Sequence, residues 1–293
     1  MLWGIFGLLI VICFGLIGIS AFVGWRLTHP GRRPIDEIPA NYGLQAEAIK
    51  FPSRTGDVVL QGWFLPSQQS FAQMTIIVSH GYAGTRLEKG LPALALVKSL
   101  VEAGNHVVMF DFRNSGESEG HMTTVGYLEK QDVLGAIDWV HEHVSGKIGL
   151  IGFSMGGSTS ILAAAEEQSV VGVVADSPFS QLSPYLRDNL PVWSKLPRFP
   201  FTPLILAVLP RMIGIHPNHV DALAAVDRVY PRPILFIHSR DDQAIPCANS
   251  EIMWSRHSDV FELWITQKAA HVGSYRLHPE DYTNRVLSFF SKL

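Results

Sequence analysis

Short, almost uninterrupted apolar runs alternate with helical stretches along most of this chain, and that alternation constrains its fold more than any other feature. "MTIIVSH" at 74–80 precedes a helical stretch over 87–103, and "HVVMFDF" at 106–112 precedes one over 126–143. "KIGLIGF" at 147–153 runs into a helical stretch over 154–168, and "VVGVVAD" follows at 170–176. Strands this apolar are buried on both faces, and the helices between them supply the crossovers and outer layers of a parallel sheet. A proline-rich segment over 177–231, centred on "FTPLILAVLPRMIGI", interrupts the pattern. It then resumes with "PILFIH", a helix over 247–256, "VFELWIT" and a last helix over 278–291. Upstream, "AEAIKFPSRTGDVVLQGWFLP" has β-type residues on either side of Thr55, Gly56 and Asp57 and reads as a hairpin. The expectation is an α/β fold with a mostly parallel central sheet and helices on both faces. A small helical cap, at about 178–230, would cross the C-terminal edge of that sheet.

The 293 residues, 47% of them apolar, suffice for one large domain with attachments. A domain of that size buries roughly 70–75% of its unfolded surface and needs no disulfide or metal staple. A net charge of −3 and a pI near 6.4 leave no basic footprint for nucleic acid. Cys13 and Cys247 stand too far apart in sequence to suggest a disulfide framework, and zinc-type spacings are missing.

From Leu2 to Trp25 the chain carries no Asp, Glu, Lys or Arg. A helix of that length rises about 36 Å, enough to cross a hydrocarbon core of about 30 Å with some tilt. Trp3 and Trp25 stand at its ends, where interfacial aromatics belong. A cleaved signal peptide fits less well: no basic n-region precedes the run, and no A-x-A site follows it. The expected organisation is a transmembrane anchor at 1–26, a Pro/Gly-rich linker at 27–45 and a body at 46–293. Arg26, Arg32 and Arg33 follow the span and no Lys or Arg precedes it, so the positive-inside rule puts the body on the cytoplasmic side.

Gly152-Phe153-Ser154-Met155-Gly156 matches G-x-S-x-G. A serine held on a strained strand-to-helix turn needs small neighbours two before and two after, and the helix that follows aims free N–H groups at developing negative charge. The pattern alone arises by chance in roughly one chain in ten of this length, so its place between a strand and a helix is what gives it weight. Nucleotide-binding glycine patterns do not fit these residues. A serine nucleophile needs a base, and the base an orienting acid. His271 follows the strand "VFELWIT"; Asp242, with Asp241 as its immediate competitor, follows "PILFIH". The order Ser154, Asp242, His271 is that of the triad in an α/β-hydrolase.

With these residues in view, the chain from about Ala46 to Leu293 resembles the α/β-hydrolase superfamily. It looks most like the compact bacterial serine hydrolases related to serine aminopeptidases, lysophospholipases and esterases, some of which carry an N-terminal membrane anchor. "VSHGYAGTR" resembles the family's oxyanion loop, "FDFRNSGESEG" its D-x-R-G-x-G-x-S turn, "GFSMGG" the nucleophile elbow and "AAHVGSY" the histidine loop. "FIHSRDDQAIP" resembles H-G-x-x-D-x-x-V-P, which aligns Asp242 rather than Asp241 with the acid. Asn114 and Ser239 stand where the family usually has Gly.

The resemblance implies that Ser154 attacks an acyl carbonyl, His271 shuttles its proton and Asp242 holds the imidazole. The backbone N–H groups of Tyr82 and Met155 would bind the oxyanion. The leading expectation is a membrane-anchored serine hydrolase of carboxylic esters, with small or lipid-like acyl substrates. Two readings compete with it: a peptidase of the aminopeptidase type, and a catalytically silent fold serving as a binding module. An amine-recognising pocket would want carboxylates, and the cap offers only Asp188, Asp221 and Asp227. "FTPLILAVLP" reads either as a helix packed over the sheet or as an acyl-binding wall. No cofactor, metal or nucleic acid is expected, and the sequence names no protein partner. Asp111, Arg113, His80 and His238 are read as loop supports, Trp139 as a core residue, and Asp176 as a minor candidate for the acid.

Overall fold

In the computed structural model, which describes residues 2–69 and 71–293, the apolar runs lie side by side in one sheet. Its eight strands are β1 (Glu47–Pro52), β2 (Val59–Leu65), β3 (Met74–Ser79), β4 (His106–Phe110), β5 (Lys147–Phe153), β6 (Val170–Asp176), β7 (Ile234–Ser239) and β8 (Glu262–Thr266). The order is β1-β2-β4-β3-β5-β6-β7-β8. β1 and β2 form the expected hairpin, β2 also runs antiparallel to β4, and every later pair is parallel. Because β3 pairs with both β4 and β5, the chain winds outward one way and then the other, and the crevice at the C-terminal ends of β3 and β5 is the switch point where open α/β sheets place their ligands.

Among the described residues ten helices accompany the sheet: α1 (Leu2–Thr28), α2 (Ala93–Glu102), α3 (Glu129–His143), α4 (Met155–Ala164), α5 (Leu182–Ser194), α6 (Arg198–Ile213), α7 (Ala222–Val229), α8 (Ala248–Trp254), α9 (Ser274–Leu277) and α10 (Pro279–Ser291). Side chains alternate along each strand, so the sheet feeds two cores. Ile77, Val108 and Leu150 face the layer that holds Val133, Ile137, Ile161 and Val226 from α3, α4 and α7. Ile76, Val107 and Ile151 face the layer of Leu94, Val97, Tyr282 and Val286 from α2 and α10. Two helices start later than their apolar patterns suggest. α2 begins after Pro92, since the residue before a proline is driven out of the helical region, and α3 begins beyond Gly126, whose φ is 115°.

The proline-rich interruption is narrower as a cap than the 178–230 interval implies. α5 and α6 are bent against each other by 118° and stand over the sheet edge. α7 instead buries Ala225, Val226 and Val229 in the core layer beside α4 and belongs to the body. α1 is a continuous helix of 27 residues, about 40 Å long, and runs past the expected boundary at residue 26. Most of its length is exposed, but Ser20, Gly24 and Thr28 are buried, with Leu209 and Ile205 of α6 opposite Gly24. The segment read as a linker lies along the body. The Arg32 guanidinium donates to the carbonyls of Gly116, Ser118 and Gly120, and Ile35, Tyr42 and Leu44 pack on the α2 side of the sheet. Cys13 is exposed, Cys247 is buried, and both are free thiols.

Candidate active site

Ser154 joins the last residue of β5 to the first of α4 with φ 53° and ψ −118°. A non-glycine residue in that region costs about 1–3 kcal/mol and persists only where its surroundings over-determine it. The surroundings here are the two glycines. A Cβ on Gly152 would lie 2.2 Å from the Gly156 carbonyl oxygen, and one on Gly156 would lie 2.3 Å from that of Ser79. The Ser154 N–H donates to the Asp176 carbonyl at 2.7 Å, which ties the turn to β6.

The structure brings Ser154, His271 and Asp242 into one hydrogen-bonded chain. His271 Nε2 lies 2.8 Å from Ser154 Oγ, and its Nδ1 lies 2.7 Å from Asp242 Oδ2. The second carboxylate oxygen of Asp242 accepts the N–H groups of Ala244 and Ile245, and His238 Nε2 stands 3.3 Å from Oδ2. Burial alone would raise the Asp242 pKa, but the hydrogen bonds from His238 and His271 outweigh it and hold the carboxyl well below the usual carboxylate range. Asp242 is therefore a fixed negative charge aimed at Nδ1, so that Nδ1 carries a proton and Nε2 faces the serine.

The rival acids point elsewhere. Asp241 accepts the Lys268 N–H. Asp176 accepts the hydroxyls of Ser177 and Tyr282, and burial pushes its pKa up to about 6. His238 is fully buried between Ser250 Oγ and the Ile245 carbonyl, and so shapes the Asp242 loop.

The loop after β3 faces Ser154 from the adjacent strand. His80 accepts the Phe112 N–H through Nε2 and donates from Nδ1 to the Gly81 carbonyl, while burial lowers its pKa and keeps it neutral. Tyr82 and Met155 both line the space beside Ser154, and among the described residues neither backbone N–H has a hydrogen-bond acceptor. Met155 opens α4, so its N–H is one of the free donors at a helix start. The Tyr82 hydroxyl donates to the Leu27 carbonyl of α1 at 2.6 Å, and burial pushes its pKa up to about 12.

Two spaces flank Ser154. One is an almost wholly apolar pocket of about 80 Å³, walled by α5 and α6, by Tyr82 and Phe179, and by Leu27 and Thr28 of α1. The other is an open space of about 280 Å³ between Gly81, Glu88, Lys89, Trp193 and His271. Glu88 was not a sequence candidate. Its Oε2 accepts the Gly81 N–H at 2.6 Å and its Oε1 the Gly90 N–H at 3.1 Å, which fixes the loop that carries Tyr82. Of the cap carboxylates, Asp188 pairs with Arg198, Asp221 caps α7, and Asp227 pairs with Arg256 and His257; none lines either space.

Asp111 and Arg113 take separate partners: Asp111 binds the buried Arg86, and Arg113 binds Asp132 and Asp57. Asn114, at φ 57°, keeps the left-handed turn that a glycine makes easily, and Asn is the side chain best suited to replace it there. Trp139 is half-buried and packs against Phe64. Among the described residues, no group of three or more His, Cys, Asp or Glu is arranged to hold a metal.

A mostly parallel sheet with a serine elbow at its switch point and a capped C-terminal edge is the α/β-hydrolase fold. A family model described as X-Pro dipeptidyl-peptidase (S15 family) matches residues 56–198, an interval that holds Ser154 but neither Asp242 nor His271. The uncharacterized protein YqkD of Bacillus subtilis is 29% identical over 223 residues, covering 75% of this chain and 72% of that protein. The lysophosphatidylserine lipase ABHD12 of Danio rerio is 27% identical over 198 residues, which is 63% of this chain and 47% of the lipase. Among solved structures, esterase Pf2001 of Pyrococcus furiosus superposes with a TM-score of 0.75 at 26% identity, covering 91% of this chain and 98% of the esterase.

Proposed function

We propose that the protein is a serine hydrolase of carboxylic esters with lipid-like acyl chains, held at a membrane by α1. The observation that carries this reading is the unbroken Ser154–His271–Asp242 chain at the edge of an apolar pocket. Ser154 Oγ bonds to the ester carbonyl carbon as its proton passes to His271 Nε2, and the carbonyl oxygen becomes an oxyanion facing the Tyr82 and Met155 N–H groups. The C–O bond to the alcohol then breaks, and the alcohol leaves with the proton from His271. Water attacks the acyl-enzyme, giving its proton to His271, which returns it to Ser154 as the carboxylic acid departs. One oxyanion donor is worth about 3–4 kcal/mol of transition-state stabilisation.

The esterase and lipase likenesses support an ester substrate, as does the apolar lining of the pocket. The length and composition of α1 support anchoring, and Arg26, Arg32 and Arg33 support a cytoplasmic body. The family-model match favours a peptidase as the second reading. A site that binds a peptide N-terminus would need a free carboxylate, whereas Glu88, the carboxylate lining the open space beside Ser154, already accepts two backbone N–H groups.

The test is fluorophosphonate labelling of the full chain in detergent, beside Ser154→Ala and His271→Ala, followed by rates on p-nitrophenyl esters and aminoacyl p-nitroanilides. Labelling that needs both residues, with esters cut faster, is the expected result. Faster anilide cleavage would install the peptidase reading, and a folded wild type that takes no label would leave a silent fold.

A further inference from the structure

The wall of the apolar pocket includes a segment that a tether has no reason to supply. Leu27 and Thr28, the last turn of α1, line the same pocket as Ser154. Two independent contacts hold that turn in place. The Tyr82 hydroxyl donates to the Leu27 carbonyl, across 55 positions of sequence, from the residue whose N–H faces the reacting carbonyl. On its other side α1 seats against α6 through a ridge of small residues, Ser20, Gly24 and Thr28, all buried. The hydroxyls on that ridge donate to carbonyls of their own helix, Ser20 to Leu16 and Thr28 to Gly24, so the seam presents no unpaired hydroxyl to α6.

Gly24 of α1 faces Ile205 and Leu209 of α6, and Thr28 lines the same pocket as those two residues. The pocket sits where an apolar shaft, an apolar cap and the nucleophile meet.

We propose that the last turn of α1 is part of the acyl-binding site. Leu27 closes one side of the pocket and so sets the chain-length specificity for a single unbranched acyl chain. This rests on the hydrolase reading above.

The test uses the full chain in detergent micelles and compares Leu27→Trp, Leu27→Ala and, on the exposed shaft of α1, Val11→Trp. The readout is the ratio of kcat/KM for p-nitrophenyl decanoate over p-nitrophenyl acetate, with fluorophosphonate labelling reporting an intact elbow. Leu27→Trp is expected to lower the ratio at least about tenfold, the effect of shutting out roughly two methylenes. Leu27→Ala shifts the preferred chain longer, and Val11→Trp leaves the ratio as it was. Should Leu27→Trp fail to fold, Leu27→Ala alone decides: an unchanged chain-length profile in labelled protein overturns the proposal. If the wild type neither takes the label nor cuts either ester, the hydrolase reading itself falls, and this inference with it.

Discussion

Gly156 passes so close beneath Ser79 that a β-carbon on it would lie 2.3 Å from the Ser79 carbonyl oxygen. The elbow and the neighbouring strand β3 therefore touch backbone to backbone, and the neighbour has no flexible side chain to give way. Gly156→Ala is expected to destabilise the body by about 1–3 kcal/mol, lowering Tm by roughly 2–10 °C, and to abolish fluorophosphonate labelling. A variant that labels at the wild-type rate would show that the turn tolerates what its geometry forbids.

The choice of acid is equally concrete. Asp242→Asn keeps the shape but removes the charge that fixes the His271 tautomer, and kcat is expected to fall by about 10³- to 10⁴-fold with KM little changed. Asp176→Asn, whose carboxylate bonds Ser177 and Tyr282 and not His271, is expected to keep kcat within about tenfold of wild type. Steady-state kinetics on one ester settles the pair; equal losses would put Asp176 in the relay.

Asp176 also predicts a pH dependence of stability. Its folded pKa is raised to about 6 from an ordinary value near 3.8, because burial disfavours the charged form. The folded chain keeps a proton that the unfolded chain releases, so this contribution is whole below about pH 4 and is lost as pH rises through about 6. Asp176→Asn has no such loss. The Tm of the variant minus that of wild type should climb between about pH 4 and 6 and level off above, while the opposite trend of Asp242 is common to both proteins and cancels. A difference that stays flat across the range would mean that Asp176 is not held protonated.

Glu88 accepts the Gly81 N–H and so positions the loop that carries Tyr82, the donor proposed for the oxyanion. Glu88→Ala is expected to lower kcat about tenfold, less than the loss of a whole oxyanion donor, and to leave KM nearly unchanged. Glu88→Gln, which still offers an acceptor, should restore most of that loss. A variant that raised KM and spared kcat would instead place Glu88 in substrate binding.

Strands were the most legible part of the chain, because full burial demands apolar runs. β5 and β6 occupy the same residues as "KIGLIGF" and "VVGVVAD". Helix starts were less legible, since Pro92 and Gly126 act on the backbone while the apolar pattern runs on past them. α7 was read into the cap because prolines had broken the alternation, and only its packing beside α4 shows that it belongs to the body. Ser154, Asp242 and His271 could be nominated because each follows a strand and fits a motif. Glu88 could not: its importance comes from two backbone N–H groups folding back onto it, and no spacing records that. Nor could Leu27, which fell on the border of two segments that were both read as lying outside the body.

Arg32 grips three carbonyls of the loop over residues 116–120, and the Thr123 N–H donates to the carbonyl of Thr28, so α1 meets the body without a free joint. Helix and pocket then turn together. A tilt of the helix axis is also a change in the aim of the pocket mouth, and the distance of Ser154 from any plane that the helix crosses is set by the molecule itself. A substrate would meet the enzyme at one height and one bearing.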